Sequence, residues 1–324
     1  VRAVWCSAFG PPEQLRVEER PSPALGDHDV RVAVAAAGVN FVDGLLVQGL
    51  YQIKPPLPFV PGNEVAGRIV EVGPAVEDRR VGQRVAASVG LGGFASDVVI
   101  RAHRALPVPD GMTDGQAATF SQSYLTARFA LQHRARATAG QWLLVLGAGG
   151  GVGLAAVDVG RSMGLHVIAA ASSEAKREIA RGRGAEAVID SSGEDVTARA
   201  RELAGGDGVD LVYDPVGGAQ GERALRALRE DGQYLVVGFA SGEIPKLPAN
   251  QVLLRNRRVT GVDWGAWAGR DRQANHEMLA DVLACVERGE LRPVEPMAYP
   301  LAEAHRALRD QLERRVTGKS VLVP

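Results

Sequence analysis

The stretch Leu143-Leu144-Val145-Leu146-Gly147-Ala148-Gly149-Gly150-Gly151-Val152-Gly153-Leu154-Ala155-Ala156 reads as an apolar strand, a glycine-rich turn and the start of a helix. An unbroken apolar run suits a strand covered on both faces of a parallel sheet. Glycines let the backbone approach a pyrophosphate with no Cβ in the way. The free N–H groups and positive dipole end of the next helix then favour the anion. Glycine-rich turns also occur in plain α/β packing, so the context decides. Here His166-Val167-Ile168-Ala169-Ala170 follows as a second strand at the spacing of a βαβ unit.

About twenty residues beyond the glycines, units that bind NAD place an acid for the ribose 2′-hydroxyl. This chain reads Ala171-Ser172-Ser173-Glu174-Ala175-Lys176-Arg177 at that point. An alanine there removes the repulsion against a 2′-phosphate, while two hydroxyls and two cations are available to hold one. Lys176 and Arg177 alone would read equally as a solvated helix face. The missing acid tips the reading to NADP(H).

Length and composition agree with a globular enzyme. A chain of 324 residues, 46% hydrophobic, exceeds one ordinary core and implies two domains. With 37 basic against 38 acidic side chains, the balance favours neither nucleic acid nor a membrane surface as partner. Cys6 and Cys285 are too far apart in sequence for a disulfide framework and fit a reducing, cytoplasmic setting. No basic-then-apolar leader opens the sequence. The most apolar stretch, Trp142 to Val157, is broken by the glycines and reads as a buried βα unit, not a membrane span.

The pattern changes along the chain. Up to about Ala118 it shows short valine-rich strands between prolines and glycines, at 30–34, 65–73 and 83–86, as in a closed or partly closed β-domain. Thr113 is a candidate helix cap, and the helix is expected to run through Leu131. Beyond it strands alternate with helices. After the first two strands come 187–189, 211–214, 233–237 and 259–262, which makes a six-stranded doubly wound parallel sheet. Helices at 275–287 and 301–314 and a strand at 321–323 complete the chain.

Several segments carry a resemblance over essentially the whole chain. They are Gly38-Val39-Asn40-Phe41-Val42-Asp43, Gly49-Leu50-Tyr51, Pro58-Phe59-Val60-Pro61-Gly62-Asn63-Glu64-Val65-Ala66-Gly67, Gly150-Gly151-Val152-Gly153, Asp214-Pro215-Val216-Gly217-Gly218, Val236-Val237-Gly238-Phe239, Pro248-Ala249-Asn250 and Thr317-Gly318-Lys319. Together they resemble the medium-chain dehydrogenase/reductase superfamily, and within it the zinc-free, zeta-crystallin-like quinone oxidoreductases. The resemblance implies an α/β chain with a GroES-like β-rich catalytic domain at 1–122, a Rossmann NADP-binding domain at 123–262 and a C-terminal segment, 263–324, that returns to the catalytic domain.

The same resemblance bears on metal. Zinc alcohol dehydrogenases of this fold take ligands from a cysteine where Asn40 stands and from the histidine of a Gly-His-Glu motif that here reads Gly62-Asn63-Glu64. Neutral amides do not replace a thiolate and an imidazole. The four-cysteine structural cluster is absent, and the six histidines show no ligand spacing. No metal is therefore expected.

Without a strong Lewis acid, a quinone or conjugated enone suits hydride transfer, because it spreads the developing charge over its own π-system. The resemblance implies Asn40 and Tyr51 at the substrate, with Tyr51 as hydrogen-bond donor or packed aromatic and Asn40 as orienting group or turn former. For the cofactor it implies Thr126, Gly149, Gly150, Gly151, Val152, Ser172, Ser173, Lys176, Ser191, Gly238 and Phe239, with Lys319 at the phosphates. Many relatives carry alanine where Gly147 stands, a change expected to loosen the turn. Leu45 makes the expected pocket more apolar. Trp264 and Trp267 are read as pocket walls, interface anchors or core. A homodimer is the default assembly. Two alternatives stand beside the reductase: an enoyl-thioester reductase of acryloyl-CoA type, and an NADPH-binding protein with little turnover, possibly touching RNA.

Overall fold

The computed structural model describes residues 1–324. The chain divides into two units: the first is 1–121 with 293–324, the second 122–292.

The first unit opens with β1 (Arg2–Trp5) and β2 (Arg16–Glu19), an antiparallel pair. Its main sheet is built on β3 (Asp29–Val39), followed by helix α1 (Phe41–Val47), β4 (Glu64–Val72), β5 (Arg84–Ser88), β6 (Asp97–Arg101), β7 (Leu106–Pro107) and helix α2 (Asp114–Ala118). Along β3, Val30, Val32 and Val34 alternate inward, and from Ala36 to Val39 every residue is buried. That change from period two to continuous burial marks where the strand passes from half-covered sheet to core. Its pairing with β4 slips at two irregularities, and β6 pairs with its first half on the other side. The pairings describe an open path, so of the closed or partly closed expectation only the second description fits.

The second unit contains α3 (Phe120–Arg128, which begins at the boundary), β8 (Trp142–Val145), α4 (Gly151–Ser162), β9 (His166–Ala171), α5 (Glu174–Gly182), β10 (Ala187–Asp190), α6 (Val196–Leu203), β11 (Val209–Asp214), α7 (Gly218–Ala224), β12 (Leu228–Val236), α8 (Ala249–Leu253), β13 (Arg258–Gly261), α9 (Trp264–Arg270) and α10 (Arg272–Glu287). Its six strands pair all in parallel in the order β10-β9-β8-β11-β12-β13. Chain order reverses between β8 and β11, the place where doubly wound sheets open a crevice beyond the strand ends. Leu143, Leu144, Val145 and Leu146 are fully buried, each contributing roughly 1.5–3 kcal/mol through burial.

Two expected boundaries shift. Thr113 does cap α2, its Oγ1 accepting the Gln116 N–H at 3.0 Å, but the expected single helix breaks at Thr119 and ends in a π-helical turn at Phe129–Arg134. The return to the first unit begins at Pro293, not at 263. Asp158, fully buried on α4, accepts from Tyr124 Oη (2.9 Å), Arg161 (2.9 Å) and the Arg292 N–H (2.6 Å), so the end of this segment is tied to α3 and α4. After Pro293 come β14 (Met297–Pro300), α11 (Ala304–Leu312) and β15 (Ser320–Val323), and β15 pairs with β3. No helix is long and apolar enough to cross a membrane.

Candidate functional site

In the second unit the turn after β8 hangs between its neighbours: Leu146 N–H donates to Tyr213 O and Ala148 N–H to Ala170 O, both at 3.0 Å. Gly147 sits in the left-handed region (φ 58°), and a methyl there would lie 2.8 Å from Val216 Cγ2. Glycine at this position fits the turn and does not loosen it, contrary to the expectation from relatives with alanine. Helix α4 starts from Gly150 with no side-chain cap, whereas α5 and α6 are capped by Ser173 and Asp195. The first N–H groups of α4, from Gly151 and Val152, thus have no side-chain cap, and a helix start of that kind suits an anion.

Lys176 lies across this turn. A methyl on Gly149 would meet its Cβ at 2.4 Å and its Cγ at 2.5 Å, so the lysine stem occupies the space that glycine leaves. Ser173 Oγ accepts the Lys176 N–H at 3.4 Å, and Ser172 is exposed with its carbonyl taken by Ser192 Oγ at 3.3 Å. Ser191 ends beside them, its N–H donating to Ala171 O at 3.1 Å. Ser192 escaped the sequence reading, because only the parallel register, Asp190 opposite Ala171, brings β10 to this corner. Arg177 is committed elsewhere. It pairs with Glu174 (2.7 Å) and Asp190 (3.1 Å) and donates to Ala171 O, so it is the lysine stem, not the arginine, that packs on the glycine turn. The carboxylate missing at position 171 thus stands one strand away, already paired.

The loop after β12 joins the same end of the sheet. Val237 and Gly238 N–H groups donate to Asp214 O at 2.9 and 3.2 Å, Ala240 N–H donates to Pro215 O at 3.0 Å, and Phe239 between them is exposed. Asp214 in turn accepts from the N–H groups of Val216 (2.7 Å) and Gly217 (2.9 Å) and from Tyr234 Oη, and burial holds its carboxyl above the usual range. Thr126, buried on α3, donates its hydroxyl to Gln122 O at 2.6 Å, so its proton serves its own helix.

The first unit holds a second polar cluster, and strand register builds it. Gly38 faces Glu64 across β3 and β4, and Val39 faces Ser320 across β3 and β15, so Asn40, Glu64 and Lys319 converge at one end of β3. Asn40 Nδ2 donates to Glu64 Oε1 at 3.0 Å. The Lys319 ammonium donates to Asn40 Oδ1 and lies 3.4 Å from Glu64 Oε1. Asp43 accepts the Asn40 N–H at 2.8 Å. All four are buried. Lys319, expected at the phosphates, has its charge held inside the first unit by a carboxylate and an amide. Asn40 has both ends of its amide engaged, which makes it a link in this network. Burial pushes the Asp43 carboxyl up to about 7, against the opposing pull of the Asn40 N–H and the Lys319 charge.

Asn63 does not join the cluster. Its Oδ1 accepts from Ser88 Oγ (3.1 Å) and the Gly90 N–H (3.0 Å) and closes a loop. No group of three His, Cys, Asp or Glu side chains is gathered for a metal anywhere in the chain. Tyr51, just beyond α1, is half-buried between exposed Leu50 and Ile53, and Leu45 on α1 is half-buried. Of the three readings of the tryptophans, core packing accounts for Trp264, which is buried with Nε1 bonded to Asn275 Oδ1 at 2.9 Å. Trp267 stacks on Phe129 with ring centroids 4.8 Å apart.

Comparison with known proteins agrees with this layout. The alcohol dehydrogenase GroES-like domain matches residues 26–110, and the pattern described as zinc-binding dehydrogenase matches 151–284. A quinone oxidoreductase-like protein 2 homolog from Nematostella vectensis is 38% identical over 99% of this chain and 88% of its own. Quinone oxidoreductase-like protein 2 from Bos taurus is 35% identical over 99% and 92%. Among solved structures, a probable oxidoreductase from Mycobacterium abscessus superposes with TM-score 0.89 at 36% identity, covering 100% of this chain and 98% of that one. The Thermus thermophilus quinone oxidoreductase, solved also with NADPH, gives 0.85 at 34%, covering all of both chains. The CurK enoyl reductase gives 0.88 at 25%, covering 99% and 98%. With both domain patterns in the same order and this identity spread over nearly the full length of its relatives, the chain belongs to the quinone oxidoreductase-like family of medium-chain dehydrogenases/reductases.

Proposed function

We propose that the protein is an NADPH-dependent oxidoreductase that passes hydride to a quinone or an α,β-unsaturated carbonyl without zinc. The observation that carries the cofactor is the Lys176 stem packed on Gly149, beside the uncapped start of α4. Gly149, Gly150, Gly151 and Val152 would face the pyrophosphate, Ser172, Ser173, Ser191 and Lys176 the adenosine end, and Gly238 and Phe239 the nicotinamide. The bound cofactor supplies the hydride. The protein's own residues bind and orient it and hold the substrate oxygen, the role assigned to Tyr51.

The residues do not fit zinc. Asn40 Oδ1 and Glu64 are both bonded to the Lys319 ammonium, so the only buried carboxylate beside Asn40 that is paired already has its cation, and Asn63 points its carbonyl into a loop. A π-conjugated acceptor suits such a site because it needs no Lewis acid. Two buried free thiols, Cys6 and Cys285, suit a reducing, cytoplasmic setting. The outer edge of β13, beside exposed Val259, Leu253 and Leu254, suits pairing with a second copy. The likeness to an enoyl reductase supports a second reading, reduction of an enoyl thioester.

Stopped-flow oxidation of NADPH against quinones, enones, aldehydes and enoyl-CoA esters tests all of this. Rapid turnover of quinones or enones is the expected result. Turnover confined to enoyl-CoA esters would establish the second reading, and binding of NADPH with no turnover of any acceptor would remove both.

A further inference from the structure

At the opposite end of the parallel sheet from the glycine turn, four arginines gather, none of them in an ion pair with an acid. Arg201 closes α6 ahead of β11, Arg226 precedes β12, and Arg255 and Arg257 precede β13. Arg257 is buried, only 5% exposed, yet no carboxylate lies within salt-bridge reach of it. It donates to Leu228 O and, at 3.5 Å, to Gln251 O, while its Nε is fully buried with no partner. Arg201 donates only to carbonyls, those of Arg226 (3.4 Å) and Gly206 (3.2 Å). Arg226 and Arg255 are exposed.

Elsewhere in this chain arginines are commonly paired with acids, and three acids near this end have partners outside the four, while Asp231, whose N–H donates to Arg255 O, makes no ion pair with them. Asp210 is held by Arg229 and by the Trp142 N–H (2.7 Å), Glu202 by Arg199 (2.6 Å), and Glu230 accepts from Asn256 at 3.4 Å. Burial, reinforced by the charges of Arg255, Arg201 and Arg226, lowers the Arg257 pKa from its ordinary value. Like charges held together around a desolvated guanidinium cost stability unless an anion offsets them.

We propose that Arg201, Arg226, Arg255 and Arg257 form a binding site for a multiply charged phosphate group, separate from the dinucleotide site at the other end of the same sheet. The buried guanidinium, held by the Leu228 and Gln251 carbonyls, supplies fixed positive charge beneath the site. The exposed pair supplies mobile charge at the rim. A group with two or more negative charges matches this concentration of cations better than a single carboxylate.

The test uses the full chain saturated with NADPH, so that the glycine turn is filled, at low ionic strength. Inorganic pyrophosphate is titrated by calorimetry, with potassium chloride of equal ionic strength as control. One pyrophosphate per chain is expected to bind over the chloride control. The double variant Arg226→Ala/Arg255→Ala, which changes only exposed side chains, should weaken binding by roughly tenfold or more. The variant Arg2→Ala/Arg104→Ala, with the same loss of charge in the first unit, should leave it intact. Absence of binding to NADPH-saturated protein, or equal loss in both double variants, overturns the proposal.

Discussion

At the scale of single residues, the proposed cofactor preference rests on Lys176, whose stem packs against Gly149, while Arg177 is paired with Glu174 and Asp190. Lys176→Ala should weaken NADPH binding by about 1.5–3 kcal/mol, roughly ten- to a hundredfold, and leave NADH nearly unchanged. Titration of both cofactors by fluorescence checks this, and equal affinity of the unmutated protein for the two would remove the assignment. Tyr51→Phe keeps the ring and deletes the hydroxyl. If Tyr51 donates to the substrate oxygen, kcat falls by an amount equivalent to about 1–3 kcal/mol with cofactor affinity kept, and enones suffer more than quinones. Unchanged turnover of every acceptor would leave Tyr51 as a packed aromatic. Asp43 predicts a pH effect of unusual sign for a carboxylate. Its folded pKa is raised to about 7, above the ordinary 3.8, so the folded state holds the proton more tightly than the unfolded chain. The stability linked to that proton is present in full below about pH 4 and is lost as pH rises to about 7. Asp43→Asn removes the titration, so the stability of the unmutated protein, measured by urea unfolding, should decline relative to the variant across that window. A constant difference between the two would show that Asp43 does not titrate there.

At the scale of elements, the β8–turn–α4 unit depends on a close approach. A methyl at Gly149 would sit 2.4 Å from Lys176 Cβ, which is fixed by helix α5 and is not the yielding end of a side chain. Gly149→Ala should therefore displace α5 from the turn and reduce NADPH affinity at least as much as Lys176→Ala. The fold should persist, so far-ultraviolet circular dichroism is expected to stay unchanged while the Kd rises. A normal Kd would place the lysine stem elsewhere. The pattern of this unit was legible because apolar run, glycines and second strand follow one another locally. The break at Thr119 and the π-helical turn at Phe129–Arg134 interrupt what reads as one continuous helical pattern, and the return at Pro293 depends on groups far apart in sequence, as the Arg292 N–H on Asp158 shows.

At the scale of the whole molecule, zinc is the decisive question, since the matched pattern at 151–284 is described as zinc-binding. Turnover should survive prolonged dialysis against a chelator, and elemental analysis should find far less than one zinc per chain. One tightly held zinc whose removal abolishes turnover would overturn the proposed mechanism. The expectation rests on the first unit, where Lys319 supplies the positive charge that Glu64 and the Asn40 carbonyl need once buried.

The sequence by itself determined the doubly wound sheet, its six strands and the glycine turn, because strand burial and turn chemistry are written in neighbouring residues. It also singled out Lys176 and the lack of an acid at position 171. Only the tertiary structure decided what each charged group does. Position 319 meets Asn40 and Glu64 through the register of β15 on β3, and Arg177 meets Asp190 through that of β10 on β9. Pairings across strands depend on register, and register is settled by the packing of the whole sheet, which no local stretch of sequence contains.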